Sequence, residues 1–468
     1  MSYFSLIFLG LFSLTITVLS FFNIIYSYYF NLYLNQNSYI YSLILSFILG
    51  LIFLIKKKDT YKITIYHKIL TVVSGYFILP LIISIPFYFS IYNISFLDSY
   101  FESISGFTST GFTIFYNIKH LDESLILWRS SSQWIGGLYF LFSIILLIDI
   151  FDNNLRKSLT NFLSFNTSET LKQSSKILIL YILLTFFIFV ALKVFDIRTL
   201  DSFNLAMTII SSGGFIPVNN LSDIINTNIK EIVFSLTMLV SFFSIFFTYN
   251  LFFIRNKNIS FFQEDILLLI YFLTLLIIFY LLFNFDYNFS VILLSLVSSI
   301  TNIGISLDQS PKNLSFIFLI LIIIGGSFFS TSSGIRLLKL YALFKFAINN
   351  LISHVKPKNI FLNKHFFLNI IFEKNEISRY FLSVLIFILS LFILTSFLTI
   401  SGISLENSFK LSILTLMNTV NSSMHGLSDF NFQELQFFTK YYLIFFMIIG
   451  RVELLTLLII CKKFLFKS

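Results

Sequence analysis

Long apolar runs alternate with short polar breaks along almost the whole chain. A helix needs roughly 20 apolar residues to cross about 30 Å of hydrocarbon. Windows of that length, uncharged or charged only near their ends, cover approximately residues 3–26, 38–55, 69–93, 125–150, 176–198, 231–254, 264–289, 314–346, 379–403 and 437–466. They predict an all-α polytopic membrane protein with about ten transmembrane helices. The first window lacks the basic flank and the small-residue cleavage site of a signal peptide, so it is read as a mature helix.

The breaks after the third, fifth, seventh and ninth windows share a layout. They read "ISFLDSYFESISGFTSTGFT", "TLDSFNLAMTIISSGGF", "YNFSVILLSLVSSITNIGIS" and "LENSFKLSILTLMNTVNSS". Each has about ten apolar or amphipathic residues, too few to span, and then a tract of Ser, Thr, Asn and usually Gly. This is the pattern of a re-entrant hairpin. Its recurrence predicts four helix, short helix with polar loop, helix repeats in a pseudo-fourfold arrangement, following two extra N-terminal helices. The expected boundaries are 1–65 for the N-terminal pair, then 66–150, 151–257, 258–350 and 351–468 for the four repeats, the third with a broken second helix.

Charge adds an orientation. Lys56, Lys57, Lys58, Lys62 and Lys68, then Arg156, Lys157, Lys172 and Lys176, then Arg255 and Lys257, then Lys356, Lys358, Lys364 and Lys374, and finally Lys462, Lys463 and Lys467 occupy every second connection. Asp98, Glu102, Asp122, Glu123, Asp201, Asp223, Asp308, Glu406, Asp429 and Glu434 occupy the others. Lys and Arg in short loops favour the cytoplasm, so both termini are expected inside. The net charge of +9 then reflects topology and contact with anionic membrane lipid, and gives no argument for nucleic acid. One cysteine, Cys461, leaves no disulfide framework and no cysteine metal site. The five histidines are scattered without metal-ligand spacing, and no phosphate-binding glycine loop is present, so no organic cofactor is expected.

The polar tracts carry the chemistry. Irregular backbone at membrane depth is tolerated only when buried in protein or lining water. Four such loops around one axis meet that condition, and their carbonyls can replace the water shell of a bare cation. Glycine allows the backbone conformations that turn successive carbonyls to one side. Oxygen ligands without clustered carboxylates suit a weakly held monovalent ion rather than calcium or magnesium. A polytopic enzyme acting on a lipid-linked substrate would share the hydrophobicity, but it would gather Asp, Glu or His on one water-facing loop. None of these loops does so, and no enzyme is expected.

Five stretches in order make the reading specific: "FESISGFTSTGFT", "LWRSSSQWIGGLYF", "SSGGF", "GGSFFSTSSGIRLLK" and "MIIGRVELLT". From about Tyr66 onward the chain resembles the Trk/Ktr/HKT superfamily of potassium transporters, most closely its TrkH type. The two helices before Tyr66 favour that type over the shorter Ktr subunits. The resemblance implies a potassium ion bound by Thr108, Ser109, Thr110 and Gly111 in the first loop and by Ile210, Ser211, Ser212 and Gly213 in the second. Thr301, Asn302, Ile303 and Gly304 correspond in the third, and Asn418, Thr419, Val420 and Asn421 in the fourth. The fourth departs from the pattern, with Asn421 and Ser422 where the family has Gly then Pro; Asn is the non-glycine residue that best accepts left-handed backbone.

Within the eighth window Gly325, Gly326, the hydroxyl run that includes Ser330 and Thr331, and Gly334 interrupt the helix, since glycine weakens a helix by about 1 kcal/mol and hydroxyls bond their own backbone. By resemblance this is an intramembrane gate loop; close packing of small residues is the other reading. Arg451 in the last window costs at least about 2.5 to 3.5 kcal/mol at the bilayer centre and marks function. The resemblance sets it beside the gate, with snorkelling as its alternative. Arg129 is read as a structural partner for Asp or Glu in the first loop. Arg336 and Lys339 either belong to the gate or snorkel inward, and His425 and Asp429 are read as solvated loop residues. The resemblance further implies a bacterial inner membrane, a homodimer and a cytoplasmic nucleotide-binding regulatory subunit of the TrkA kind. It implies potassium uptake across the membrane through a central pore, with a less selective monovalent cation channel or sodium- or proton-coupled potassium symport as the alternative.

Overall fold

The computed structural model describes residues 3–55, 65–147, 170–252, 262–283, 287–355, 374–427 and 430–452. Most of the basic connections, with Asp429, Glu453 and Cys461, lie outside the described residues. Those outside include Lys56, Lys57, Lys58, Lys62, Arg156, Lys157, Arg255, Lys257, Lys356, Lys358, Lys364, Lys462, Lys463 and Lys467.

Two helices, α1 (Tyr3–Tyr29) and α2 (Gln36–Ile55), pack antiparallel at the start of the chain. Serines spaced at helical intervals, Ser13 and Ser20 on α1 and Ser38, Ser42 and Ser46 on α2, are buried between them. Ser20 bonds Ser42 at 3.2 Å, and Thr17 pairs with Ser46 at 2.8 Å. Small polar faces of this kind let helices approach closely where apolar side chains gain nothing over lipid.

The rest is four similar units. The first is α3 (Ile65–Tyr88), α4 (Phe96–Phe107) and α5 (Glu123–Leu147); the second is α6 (Thr170–Val194), α7 (Thr199–Ile210), α8 (Asn228–Phe242) and α9 (Ile245–Phe252). The third comprises α10 (Gln263–Phe283), α11 (Phe289–Ile300), α12 (Ser315–Ile323) and α13 (Leu337–Val355); the fourth comprises α14 (Lys374–Ile400), α15 (Leu405–Leu416) and α16 (Phe437–Val452). Among the described residues seven helices are long and apolar enough to cross a membrane. Two more expected crossings are interrupted, and α16 is described only to Val452.

The second helix of each unit, α4, α7, α11 or α15, has 12 residues. At 1.5 Å per residue that is about 18 Å, too short to span. Every one of them lies against the following long helix of the preceding unit: α7 on α5, α11 on α8, α15 on α12, and α4 on α16. The last contact returns to the first unit, so the four units close into a ring. Lys440 of α16 reaches Asp98 of α4 across that seam, and both are mostly buried.

Two long helices are broken. Between α12 and α13 the chain leaves helix, pairs Ile324 with Ile335 and Gly325 with Arg336 as short parallel strands β1 (Ile324–Gly325) and β2 (Ile335–Arg336), and loops out between them. A Cβ on Gly325 would stand 2.0 Å from the Ser333 carbonyl oxygen, so the strands can approach only through glycine. The other break, at Phe243 and Ser244 between α8 and α9, is absent from the sequence reading. There the Ser244 N–H donates to Asp265 Oδ1 at 2.8 Å and the Ile245 N–H to the Phe329 carbonyl at 3.1 Å. Neither Gly nor Pro causes it; groups from another unit replace the helical hydrogen bonds.

Candidate functional site

Each short helix ends in one residue that closes the last turn and a second in left-handed backbone. The closing residues are Thr108, Ser211, Thr301 and Met417. The left-handed residues are Ser109, Ser212, Asn302 and Asn418, with φ of 58°, 53°, 60° and 47°. Next, the N–H groups of Thr110, Gly213 and Thr419 each donate to a carbonyl five residues back, at 2.8, 2.8 and 2.9 Å. This shared frame fixes which residues correspond. By this frame Thr108–Gly111, Ser211–Gly214, Thr301–Gly304 and Met417–Val420 are equivalent, a register one residue later in the second tract than Ile210–Gly213 and one earlier in the fourth than Asn418–Asn421. Ile210 is the last helical residue, and Asn421 is not left-handed.

Three of the loops carry the same clamp. The hydroxyls of Ser105, Thr208 and Ser298 donate to the carbonyls of Phe112, Phe215 and Ile305 at 2.6, 2.9 and 2.6 Å, spanning the bend. Thr108, Ser211 and Thr301 donate to carbonyls four residues back. The fourth loop has Leu414 and Met417 at these places and is held otherwise. Asn418 Nδ2 donates to the Met447 carbonyl at 2.9 Å and to Thr110 Oγ1 at 3.0 Å, and Asn421 Nδ2 to the Leu427 carbonyl at 3.2 Å.

The loops meet one another. A Cβ on Gly111 would lie 2.8 Å from Gly214 Cα, and one on Gly304 2.6 Å from Thr419 Cγ2. Asn302 Nδ2 reaches Thr419 Oγ1 at 3.4 Å. Every predicted tract residue is buried except Asn421, which is half-buried. None carries a charge, and the four helices direct their C-termini, each equivalent to roughly half a negative charge, at the loops.

Charge is confined to the flanks. Arg129 Nε donates to Glu102 Oε1 at 2.9 Å, with both residues fully buried, as the sequence reading expects. Glu102 also accepts from the Ile114 N–H at 2.9 Å and from Thr113 Oγ1 at 3.0 Å, and the guanidinium lies 4.2 Å from the Phe215 ring centre. One ion pair thereby fixes the first loop to the second. With its amide oriented to satisfy its partners, Gln133 accepts from the N–H groups of Gly214 and Phe215 at 3.0 and 3.1 Å and donates to Thr208 Oγ1.

On one side of the loops lies the 326–334 segment. Thr331 Oγ1 donates to the Ile210 carbonyl at 2.7 Å and lies 3.4 Å from Ser212 Oγ. Arg451 is buried against it: Nη1 donates to Ser333 Oγ at 2.6 Å, Nη2 approaches Ser109 Oγ at 3.3 Å and the Ser211 carbonyl at 3.4 Å, and the Phe140 ring lies 4.1 Å away. It does not snorkel. Arg336 belongs to the same segment, since its Nη1 donates to the Ser327 and Ser332 carbonyls, both at 2.9 Å, and to Ser330 Oγ at 3.2 Å. Gly326 and Gly334 bracket the turn, the latter with φ of 84°. Glu264 and Asp265, read in the sequence only as the start of a span, hold the segment from behind, Glu264 Oε1 accepting from the Phe328 N–H at 3.1 Å.

On the opposite side an open cavity of about 560 Å³ is bordered by Gly111, Gly214, Val420, Asn421, Asn219, Ser306 and Asp308. His425 lies beside the fourth loop but is buried rather than solvated, its Nδ1 3.2 Å from Ser422 Oγ.

Residues 305–466 match the family model of TrkH, described as a cation transport protein. An uncharacterized cation transporter of Methanocaldococcus jannaschii is 25% identical over 72% of this chain and 71% of its own. The Trk system potassium uptake protein TrkH of Escherichia coli is 24% identical over 84% of each. The crystal structure of the potassium transporter TrkH from Vibrio parahaemolyticus superposes with a TM-score of 0.82, covering 98% of both chains at 19% identity. Residues 305–466 thus resemble TrkH cation transport proteins, the chain as a whole is similar to Trk-type potassium uptake proteins, and it shares the TrkH fold.

Proposed function

We propose that the chain is the membrane-embedded subunit of a potassium uptake system and that the ion passes between the four polar loops. One observation carries this reading: four short helices point their C-termini at uncharged loops that touch one another in a closed ring. Helix ends of that polarity favour a cation, and buried carbonyls and hydroxyls can stand in for its water. The absence of carboxylates from the tracts supports a monovalent ion over a divalent one. Potassium in particular is inferred from the names of the relatives.

In this reading the ion sheds water in the open cavity, passes the loops and meets the 326–334 segment, held in the closed position by Arg451 and Arg336. Gly325, Gly326, Ser330, Thr331 and Gly334 form the gate, and the arginines add a positive barrier while it is closed. The membrane potential supplies about 2.3 kcal/mol per charge per 100 mV. The repeats are taken as 66–150, 151–257, 258–350 and 351–468, with both termini cytoplasmic in an inner membrane. A homodimer and a cytoplasmic nucleotide-binding regulatory subunit complete the system.

Rubidium uptake by a cell lacking its own potassium transporters, measured with and without sodium, tests the reading. Uptake above the vector control is expected. Uptake equal to the control, from protein shown to be in the membrane, would overturn it. Deleting residues 327–333 is expected to raise basal flux in liposomes, and unchanged flux would remove the gate assignment.

A further inference from the structure

We propose that the Val420 side chain limits permeation at the cavity end of the path. The inference rests on the cation-path reading above and deepens it. Val420 occupies the position held by Gly111, Gly214 and Gly304 in the other loops, and it lies against all three. A Cβ on Gly214 would be 2.3 Å from Val420 Cβ, one on Gly111 3.0 Å from Val420 Cβ, and one on Gly304 3.1 Å from Val420 Cγ1. A single side chain that reaches three glycines from three separate loops sits where those loops come together. The same residue borders the open cavity.

The chemistry differs from that of its counterparts. Gly111 and Gly304 have φ of 82° and 78°, a conformation closed to a β-branched residue, so the fourth loop cannot turn its carbonyl as they do. Methyl groups offer an ion no ligand, and an ion at this level must pass the isopropyl group. The side chain has little room to swing, because branching at Cβ restricts χ1. Nor does its loop retract freely: Asn418 and Asn421 tie it down on either side, to Met447 and Leu427.

The test is rubidium flux through the full-length protein in liposomes, comparing wild type with Val420→Gly, Val420→Ala and Val420→Thr. Flux should rise several-fold for glycine, less for alanine, and least for threonine, which keeps the shape. Alanine supplies the answer if the glycine variant does not fold, which monodispersity in detergent reports. If neither small variant is faster while deletion of 327–333 raises flux, the path reading stands and the role of Val420 falls. A threonine variant as fast as glycine would also overturn it, because a missing ligand and not bulk would then be limiting. If wild type and every variant, the deletion included, carry no rubidium, the path reading itself fails and this proposal fails with it.

Discussion

The first and fourth loops have the same backbone frame and almost no support in common. The first is held by hydroxyls and an ion pair: Thr108 and Ser105 clamp the bend, Gly111 is left-handed, and Glu102 ties the strand beyond it to Arg129. At the matching positions the fourth has Met417, Leu414, Val420 and Leu411. Its support is two asparagine amides, with a buried histidine behind them. What the two share is a short helix closed by one residue and followed by a left-handed one. That local geometry is sufficient to form the loop, and the surrounding side chains decide what lines it.

Exchanging features between the two loops sharpens the contrast. The largest effect is expected from Gly111→Val, which copies the fourth loop into the first: a valine is strained at φ of 82°, and its Cβ would stand 2.8 Å from Gly214 Cα. Rubidium uptake should drop to the vector background, and retention of wild-type uptake would show that the loops do not need their glycines. Next is Glu102→Leu, again the residue type of the fourth loop. It leaves Arg129 buried and uncompensated, at a cost of about 3 to 5 kcal/mol. A lower melting temperature in detergent is expected, with recovery in the Glu102→Leu/Arg129→Met double variant. A double variant no more stable than the single one would argue against the ion pair as the cause.

The smallest effect concerns the fourth loop. Burial pushes the His425 imidazole down to about 3. An unfolded histidine takes a proton near pH 6.5, whereas the folded one does so only near 3. Stability therefore falls as pH drops below about 6.5 and is flat above 7. Melting temperatures at pH 5 and 7.5 should differ more in wild type than in His425→Gln, and equal differences would assign the dependence elsewhere.

Much of this architecture is legible in the sequence because hydrocarbon constrains it so strongly. Four polar tracts behind segments too short to span have few other places to be. Glu102 and Arg129 were legible as partners because unpaired charge at that depth is costly. Register was harder. In the second loop Gly213 and Gly214 both offer a match to Gly111, and in the fourth no glycine marks the place at all. The marker is the left-handed residue after the helix, a property of backbone hydrogen bonds that composition does not display. The break at Phe243 and Ser244 was invisible for a related reason: its cause, Asp265 and the Phe329 carbonyl, lies in another repeat.

The contact of α4 with α16, fastened by Asp98 and Lys440, joins segments more than three hundred positions apart. During synthesis the first three units reach the bilayer while the gap awaiting the fourth is still open. On the proposed path the four loops are therefore aligned only after the final helix has docked. On the same proposal, the assembly order built into the ring delays any leak until Arg451, which bonds Ser333 in the 326–334 segment, is also in position.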